Sequence, residues 1–255
     1  MAHFVLLTAS DAWRATSSRV KAAFFSFILL YSLPTGAAAF AENLSTDWRG
    51  GIPENNFLAY EITRKGKRLG FQSITFSEAE NGDLIADIHV QIDFKLGPIP
   101  LFRYRHVNRE VWRDGALVEV NSRTDNNGED VTTRLTMKDG VLTGSGARYE
   151  GNLDGVTHST SYFDPNFVRQ AALVSSQDGR RLSTETIEVG RERLNLQIGP
   201  VEATRFRTTG KLKIDIWYTD EGRWVKTEFT RGGNTLVISA VNPASLPPRK
   251  KWKRP

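Results

Sequence analysis

The residues best placed to do chemistry lie along one stretch, 101–112 (LFRYRHVNREVW). Two-residue alternation puts Phe102, Tyr104, His106 and Trp112 on one face and Arg103, Arg105, Arg109, Val107 and Val111 on the other. An imidazole between aromatic rings lines either a semi-polar pocket or the edge of an aromatic core with one satisfied histidine. The arginine row either grips a phosphate or carboxylate through paired N–H donors or forms a solvated strand face. His89 alternates with Asp87, Gln91 and Asp93, and His158 sits in the polar run 157–161; both read as surface. A second aromatic group closes the chain, where Tyr218 shares a face with Leu212, Ile214 and Ile216, and Trp224 follows. With Phe167 and Val168, these nominate Phe102, Tyr104, His106, Phe167, Val168, Tyr218 and Trp224 as residues that contact an apolar ligand.

Other chemistry lacks its parts. The chain has no cysteine, so thiol nucleophiles and disulfides are excluded. There is no Gly-x-Ser-x-Gly elbow and no His or Cys spacing for zinc. Asp125–Asp130 (DNNGED) lacks the continuation of a calcium loop and reads as a turn. The 29 Asp and Glu residues nominate no acid–base pair. Neither a metal, a cofactor nor an enzymatic activity is expected.

Along the rest of the chain the dominant pattern is period two. In 84–96 (LIADIHVQIDFKL), Leu84, Ala86, Ile88, Val90, Ile92, Phe94 and Leu96 fall on one side, which a helix would scatter and a strand collects. Comparable segments recur from 57 to 241, separated by Lys65-Gly66, Asn81-Gly82, Asp114-Gly115, Asn127-Gly128, Asp139-Gly140 and Gly232-Gly233. Such short turns predict antiparallel neighbours. One segment departs: Asp164-Pro165 is a cap followed by proline at a first helical position, and Phe167, Val168, Ala171, Ala172 and Val174 then fit one helical face. The spacing predicts an amphipathic helix over 165–176 covering the concave face of the sheet. The fold expected is mainly β: one strongly curved antiparallel sheet or half-barrel of roughly ten strands with that helix inside.

The ends carry addresses. Arg14, Arg19 and Lys21 precede the apolar run 22–33, Pro34 and Gly36 break it, and Ala39-Phe40-Ala41 fits a cleavage site. This reads as a secretory signal peptide over 1–41, with 1–19 an over-long start and Val20 the true one. A linker (42–56), a β domain (57–242) and a basic proline-rich tail (243–255), extended and mobile, follow. Of the formal charge of +5, most belongs to the leader and to the tail's Arg249, Lys250, Lys251, Lys253 and Arg254. The domain between them is slightly acidic, which argues against a nucleic-acid partner. The tail, with Trp252 set among its cations, suits an anionic membrane or polysaccharide surface or serves only as a solubilising end.

Three landmarks carry a resemblance: the opening hairpin from Tyr60-Glu61-Ile62 to Lys67-Arg68-Leu69-Gly70 with Phe71 and Ile74, the segment after Tyr162-Phe163-Asp164-Pro165, and Lys213–Tyr218 with Gly222-Arg223-Trp224-Val225-Lys226. Together they resemble the exported bacterial domain-of-unknown-function family 6134. The layout is similar to family 3108 and, more distantly, to the carriers and receptors of outer-membrane lipoprotein sorting. The resemblance implies a half-barrel whose apolar concavity holds acyl chains, and it supplies no catalytic residues. The function expected is non-enzymatic binding of a lipid or other hydrophobic envelope component in the periplasm. The alternative is an interaction protein with a filled core that meets the envelope through its tail. If the leader is read correctly, the exported protein starts at Glu42, and N-terminal sequencing of periplasmic material will return Glu42-Asn43-Leu44. Intact mass of unprocessed precursor beginning at Met1 would instead reject the later start.

Overall fold

The computed structural model describes residues 44–255 apart from Gly97 and Gly232; the leader, its cleavage site and the choice of start lie outside the described residues. The alternating segments become one antiparallel sheet of 14 strands, bent until it nearly closes into a barrel. In chain order these are β1 (Phe57–Arg64), β2 (Lys67–Glu78), β3 (Leu84–Leu96), β4 (Ile99–Arg113), β5 (Ala116–Asn126), β6 (Glu129–Lys138), β7 (Val141–Gly146) and β8 (Tyr149–Leu153). The second half supplies β9 (Ala172–Val174), β10 (Arg181–Leu196), β11 (Gly199–Gly210), β12 (Asp215–Tyr218), β13 (Trp224–Arg231) and β14 (Asn234–Ala240). Strands consecutive in sequence pair with one another except β8 and β9, which are the two sheet edges; β1 joins the halves by pairing with β14 from Tyr60↔Ala240 to Arg64↔Leu236.

Turn chemistry sets this order. At Lys65-Gly66, Asp114-Gly115, Asn127-Gly128 and Asp139-Gly140 both residues have positive φ. Two such residues form the turn whose twist matches that of the flanking strands, and glycine removes the steric cost at the second position. Successive hairpins therefore alternate between two ends of the barrel. We call the end holding the β1–β2, β3–β4, β5–β6 and β13–β14 turns the rim, and the other the base. The sheet has four more strands than the sequence suggests. β8, which begins only at Tyr149, and β9, inside the segment read as a helix, add to the count, whereas Gly190, which reads as a break, sits at a register shift inside the single long β10.

The expected helix over 165–176 is corrected. Asp164 does cap, its carboxylate accepting from the Asn166 N–H at 2.8 Å, and Pro165 does open a turn, but it is a 3-10 turn ending at Arg169. The chain then extends into β9, whose Ala172, Leu173 and Val174 are all buried against β10. A helix through this stretch would face Ala171 inward and leave Leu173 outside; the structure does the reverse. Three consecutive apolar side chains buried on both faces favour the extended form.

Residues 156–179 run through the barrel as a plug of mostly irregular backbone, and most of its side chains are buried. Its first part spans the gap between the sheet edges β8 and β9: His158 and Thr160 exchange backbone hydrogen bonds with Val174, and the Thr157 carbonyl accepts from the Leu117 N–H. Phe76 and Trp112 of the wall pack edge-on against its Phe163, and Trp224 against its Tyr162. Tyr60 stacks on Trp224 with centroids 4.0 Å apart and donates its hydroxyl to the Trp224 carbonyl, a pair that adds roughly 1 kcal/mol to its burial. Residues 44–52 lie across the base: Leu44 is buried, and the Trp48 ring covers Gly115.

The tail is not a free end in this structure. It lies on the outer wall of β2 and β3, where Trp252 packs against Phe71 and His89 at 5.1 and 5.0 Å. Removing the Leu173 side chain (Leu173→Ala) should cost about 2–5 kcal/mol in urea unfolding, while Ala171→Asp should cost under about 0.5 kcal/mol. The helical reading demands the opposite order.

Candidate functional site

Because β4 alternates, Phe102, Tyr104, His106, Asn108, Glu110 and Trp112 all point inward. The β3 residues paired with Tyr104, His106 and Asn108 are Ile92, Val90 and Ile88. Between these strands, β1, β13, β14 and the plug lies a cavity of about 80 Å³. It takes a few waters or a short stretch of apolar chain. One wall is apolar, formed by Ile62, Ile88, Ile92, Phe229, Leu236 and Ile238. The facing wall is polar and comes from Gln72, Tyr104, His106 and Asn108 with Ser161, Ser176 and Gln177 of the plug. No Lys, Arg, Asp or Glu lines it among the described residues. It occupies the rim half of the barrel. Phe94 and Phe102 pair one inward position nearer the rim, with the Arg64 guanidinium 5.5 Å from the Phe94 ring centre.

The polar wall is wired. Tyr104 donates to Gln177 Oε1 at 3.0 Å, Thr124 bonds the Tyr104 side chain, and His106 Nδ1 meets Thr124 Oγ1 at 2.8 Å. Ordered as donors in that direction, His106 keeps Nδ1–H and turns Nε2 as an acceptor toward the Ser176 hydroxyl at 3.5 Å. Burial, and then the charge of a protonated His89, push the His106 pKa down to about 4, so the ring is neutral at physiological pH. Asn108 donates to Glu110 Oε1 at 2.8 Å and its own Oδ1 has no partner among the described residues. The site thus offers two neutral acceptors, Asn108 Oδ1 and His106 Nε2.

Beneath it, Glu110 is 0% exposed and faces no cation among the described residues; Asn108, Trp112, Ser159 and Ser161 bond to it. Burial raises its pKa, the hydrogen bonds only partly offsetting this. His106 does not form a Ser–His–carboxylate triad. The partner of His106 Nδ1 is a threonine where a triad needs a carboxylate, and the Ser176 contact is at the outer limit of a hydrogen bond.

The other sequence candidates fall elsewhere. Tyr218 donates to the Tyr162 carbonyl at 2.7 Å and Trp224 to Thr227 at 2.8 Å, both in closed core. Phe167 and Val168 are buried in the plug near the base, and Phe102 is half-buried above the cavity. Of the seven, Tyr104 and His106 line the cavity. His89 and His158 are buried, contrary to their surface reading. His89 lies under Trp252. His158 sits between Thr157 Oγ1 and Asp164 Oδ2, both 2.9 Å away, against the Trp112 ring. The arginine row is occupied too. Arg105 is 2% exposed and holds the Ile92 and Tyr104 carbonyls and Asp93, while Arg103 pairs with Asp125 and Arg109 with Asp87. In the tail, Arg249 bonds Thr75 and lies over Phe57 and Trp252; Lys250, Lys251, Lys253 and Arg254 stay exposed.

Asn108 was legible, since it continues the Tyr104, His106 alternation. Ser176 and Gln177 were not, because the helical reading gave that end of the segment no place in a pocket wall. A histidine whose folded pKa is lowered binds fewer protons than the unfolded chain, so its contribution is present above the unfolded value of 6.5 and is lost as pH falls toward 4. His106→Gln should flatten the stability profile between pH 6.5 and 4 by roughly 3 kcal/mol, read from urea midpoints of both proteins.

No curated protein matches this chain. Among solved structures, the fold is similar to the crystal structure of a beta-barrel-like protein of domain of unknown function DUF1849 from Brucella abortus. The TM-score is 0.54 at 11% identity, covering 73% of this chain and 95% of that one. At that identity the likeness concerns the fold alone. Residues 60–241, from the first core tyrosine of β1 to the residue after β14, match one family along their length, and the chain belongs to it: Domain of unknown function (DUF6134).

Proposed function

We propose that this chain is a non-enzymatic protein of the bacterial periplasm, exported by its leader, that binds a hydrophobic component of the envelope inside the barrel. The observation that carries this reading is the cavity itself, with an apolar wall facing neutral hydrogen-bond acceptors in the rim half of the molecule. Its volume suits the end of an acyl chain or a small apolar molecule bearing a hydroxyl or amide N–H, and not a whole lipid. The uncharged lining disfavours an ionised headgroup within it, since burying an unpaired charge is costly.

One observation favours a second reading, an interaction protein with a filled core: the plug and the large aromatics occupy most of the interior. The two separate on occupancy. Native mass spectrometry of gently purified protein should show an added mass, and a dansylated fatty acid should bind and fluoresce. Val90→Phe, which fills the cavity from β3, should weaken that binding about tenfold, a loss of ~1.4 kcal/mol, without lowering the unfolding midpoint. An unliganded mass together with dye binding indifferent to the substitution would establish the filled-core reading.

A further inference from the structure

The alternation of hairpins between rim and base also sorts the charges. At the rim, the β1–β2 turn carries exposed Lys65, Lys67 and Arg68, and the β3–β4 hairpin Lys95. Arg148 lies between β7 and β8, Arg181 opens β10, and Lys211 and Lys213 stand between β11 and β12. Among the described residues none of these eight has a carboxylate partner. The β5–β6 turn is the acidic exception. There Asp125 and Asp130 are neutralised by Arg103 and Arg123 at 2.7 and 2.6 Å, leaving Glu129. The base is the reverse. Its turns present Glu80, Asp114, Asp139, Asp154 and Glu221, all exposed, with the exposed cation Lys138 beside Asp139. A domain with almost no net charge is therefore strongly dipolar along its axis.

The rim also holds the exposed apolar tip of the molecule. In the β3–β4 hairpin, Ile99 is 58% and Leu101 47% exposed, beside Pro98 and Pro100. The proline N atoms cannot extend a ladder, so this tip is ill suited to pairing with another strand.

We infer that the rim is a docking surface for an anionic lipid bilayer. Clustered cations at one end orient the barrel toward a negative surface, and each basic group near it adds attraction that salt screens. Ile99 and Leu101, set among those cations, enter the interfacial layer as the aliphatic side of a membrane-surface element does. A soluble polyanion supplies the charge complement and gives those two side chains nothing to bury against; a bilayer supplies both. Docking in this orientation turns the cavity-bearing half of the barrel toward the membrane.

The test is co-sedimentation of the full exported chain with vesicles of phosphatidylglycerol and phosphatidylethanolamine, against pure phosphatidylcholine, at low and high salt. Binding should require the anionic lipid and fall with salt. Reversing Lys65, Lys67 and Lys95 to Glu should lower partitioning about tenfold or more. Reversing Lys250, Lys251 and Arg254 on the outer wall changes net charge equally and should lower it by less than about threefold. The indole introduced by Leu101→Trp should shift its emission to the blue on anionic vesicles and be quenched by brominated lipid. Equal binding to phosphatidylcholine, an equal or larger loss from the tail substitutions, heparin binding without vesicle binding, or an unshifted emission from the Leu101→Trp variant would each overturn the assignment.

Discussion

Burying residues 156–179 inside a barrel calls for partners for the polar groups of that stretch, because an unmet buried donor or acceptor costs about 1–3 kcal/mol. A helix would satisfy its own backbone. This segment is mostly irregular, so many of its partners come from the wall and from its own returning strand. Val174 takes both His158 and Thr160, the Thr157 carbonyl takes Leu117, and Ser122 donates to the Ser176 carbonyl. Tyr218 reaches the Tyr162 carbonyl. Side chains follow suit, with Asp164 serving both His158 and the Asn166 N–H. The plug thereby fixes how far the sheet curls. Gly146 of β7 shows how closely: a Cβ there would lie 2.5 Å from the Asp178 carbonyl oxygen.

The polar wall of the cavity follows from the same constraint. Tyr104, His106 and Glu110 point inward from a strand that otherwise reads as core because the plug gives them partners, Gln177 for Tyr104, Ser176 for His106, and Ser159 and Ser161 for Glu110. Where plug and wall do not quite meet, Asn108 Oδ1 is left over and the space beside it stays open. Structural satisfaction and binding capacity are thus one network seen from two sides. Glu110, kept toward its neutral form by burial, deepens that network without adding a charge to the cavity.

Outside the barrel, charge obeys a different rule. A meander of hairpins sends alternate turns to opposite ends, so any bias between odd and even turns becomes a bias between rim and base. Lys65-Gly66-Lys67-Arg68 and Lys211–Lys213 belong to one set, Asp114-Gly115, Asp139-Gly140 and Asp220-Glu221-Gly222 to the other. Summed over the domain between leader and tail, positive and negative charge nearly cancel, which is why net charge is silent about it. Elsewhere the outer wall pairs its ions locally, as Arg109 does with Asp87 and Arg193 with Glu202; such exposed pairs contribute little stability.

By itself the sequence determined what repeats at short range. Two-residue alternation in 84–96 settled which side chains of β3 face inward, and turn pairs such as Asp114-Gly115 settled that the strands are antiparallel neighbours, because both depend only on local backbone geometry. The cap at Asp164 was equally local. Tertiary structure alone decided the pairing of β1 with β14, the extension of 172–174 against β10, and the burial of His89 beneath Trp252. It also decided which inward residues enclose space: Tyr104 and His106 do, whereas Tyr218 and Trp224, equally aromatic and equally inward, are sealed in core. Each depends on segments far apart in the chain meeting in space. A local pattern says which way a side chain points, and only the closed sheet says what waits there.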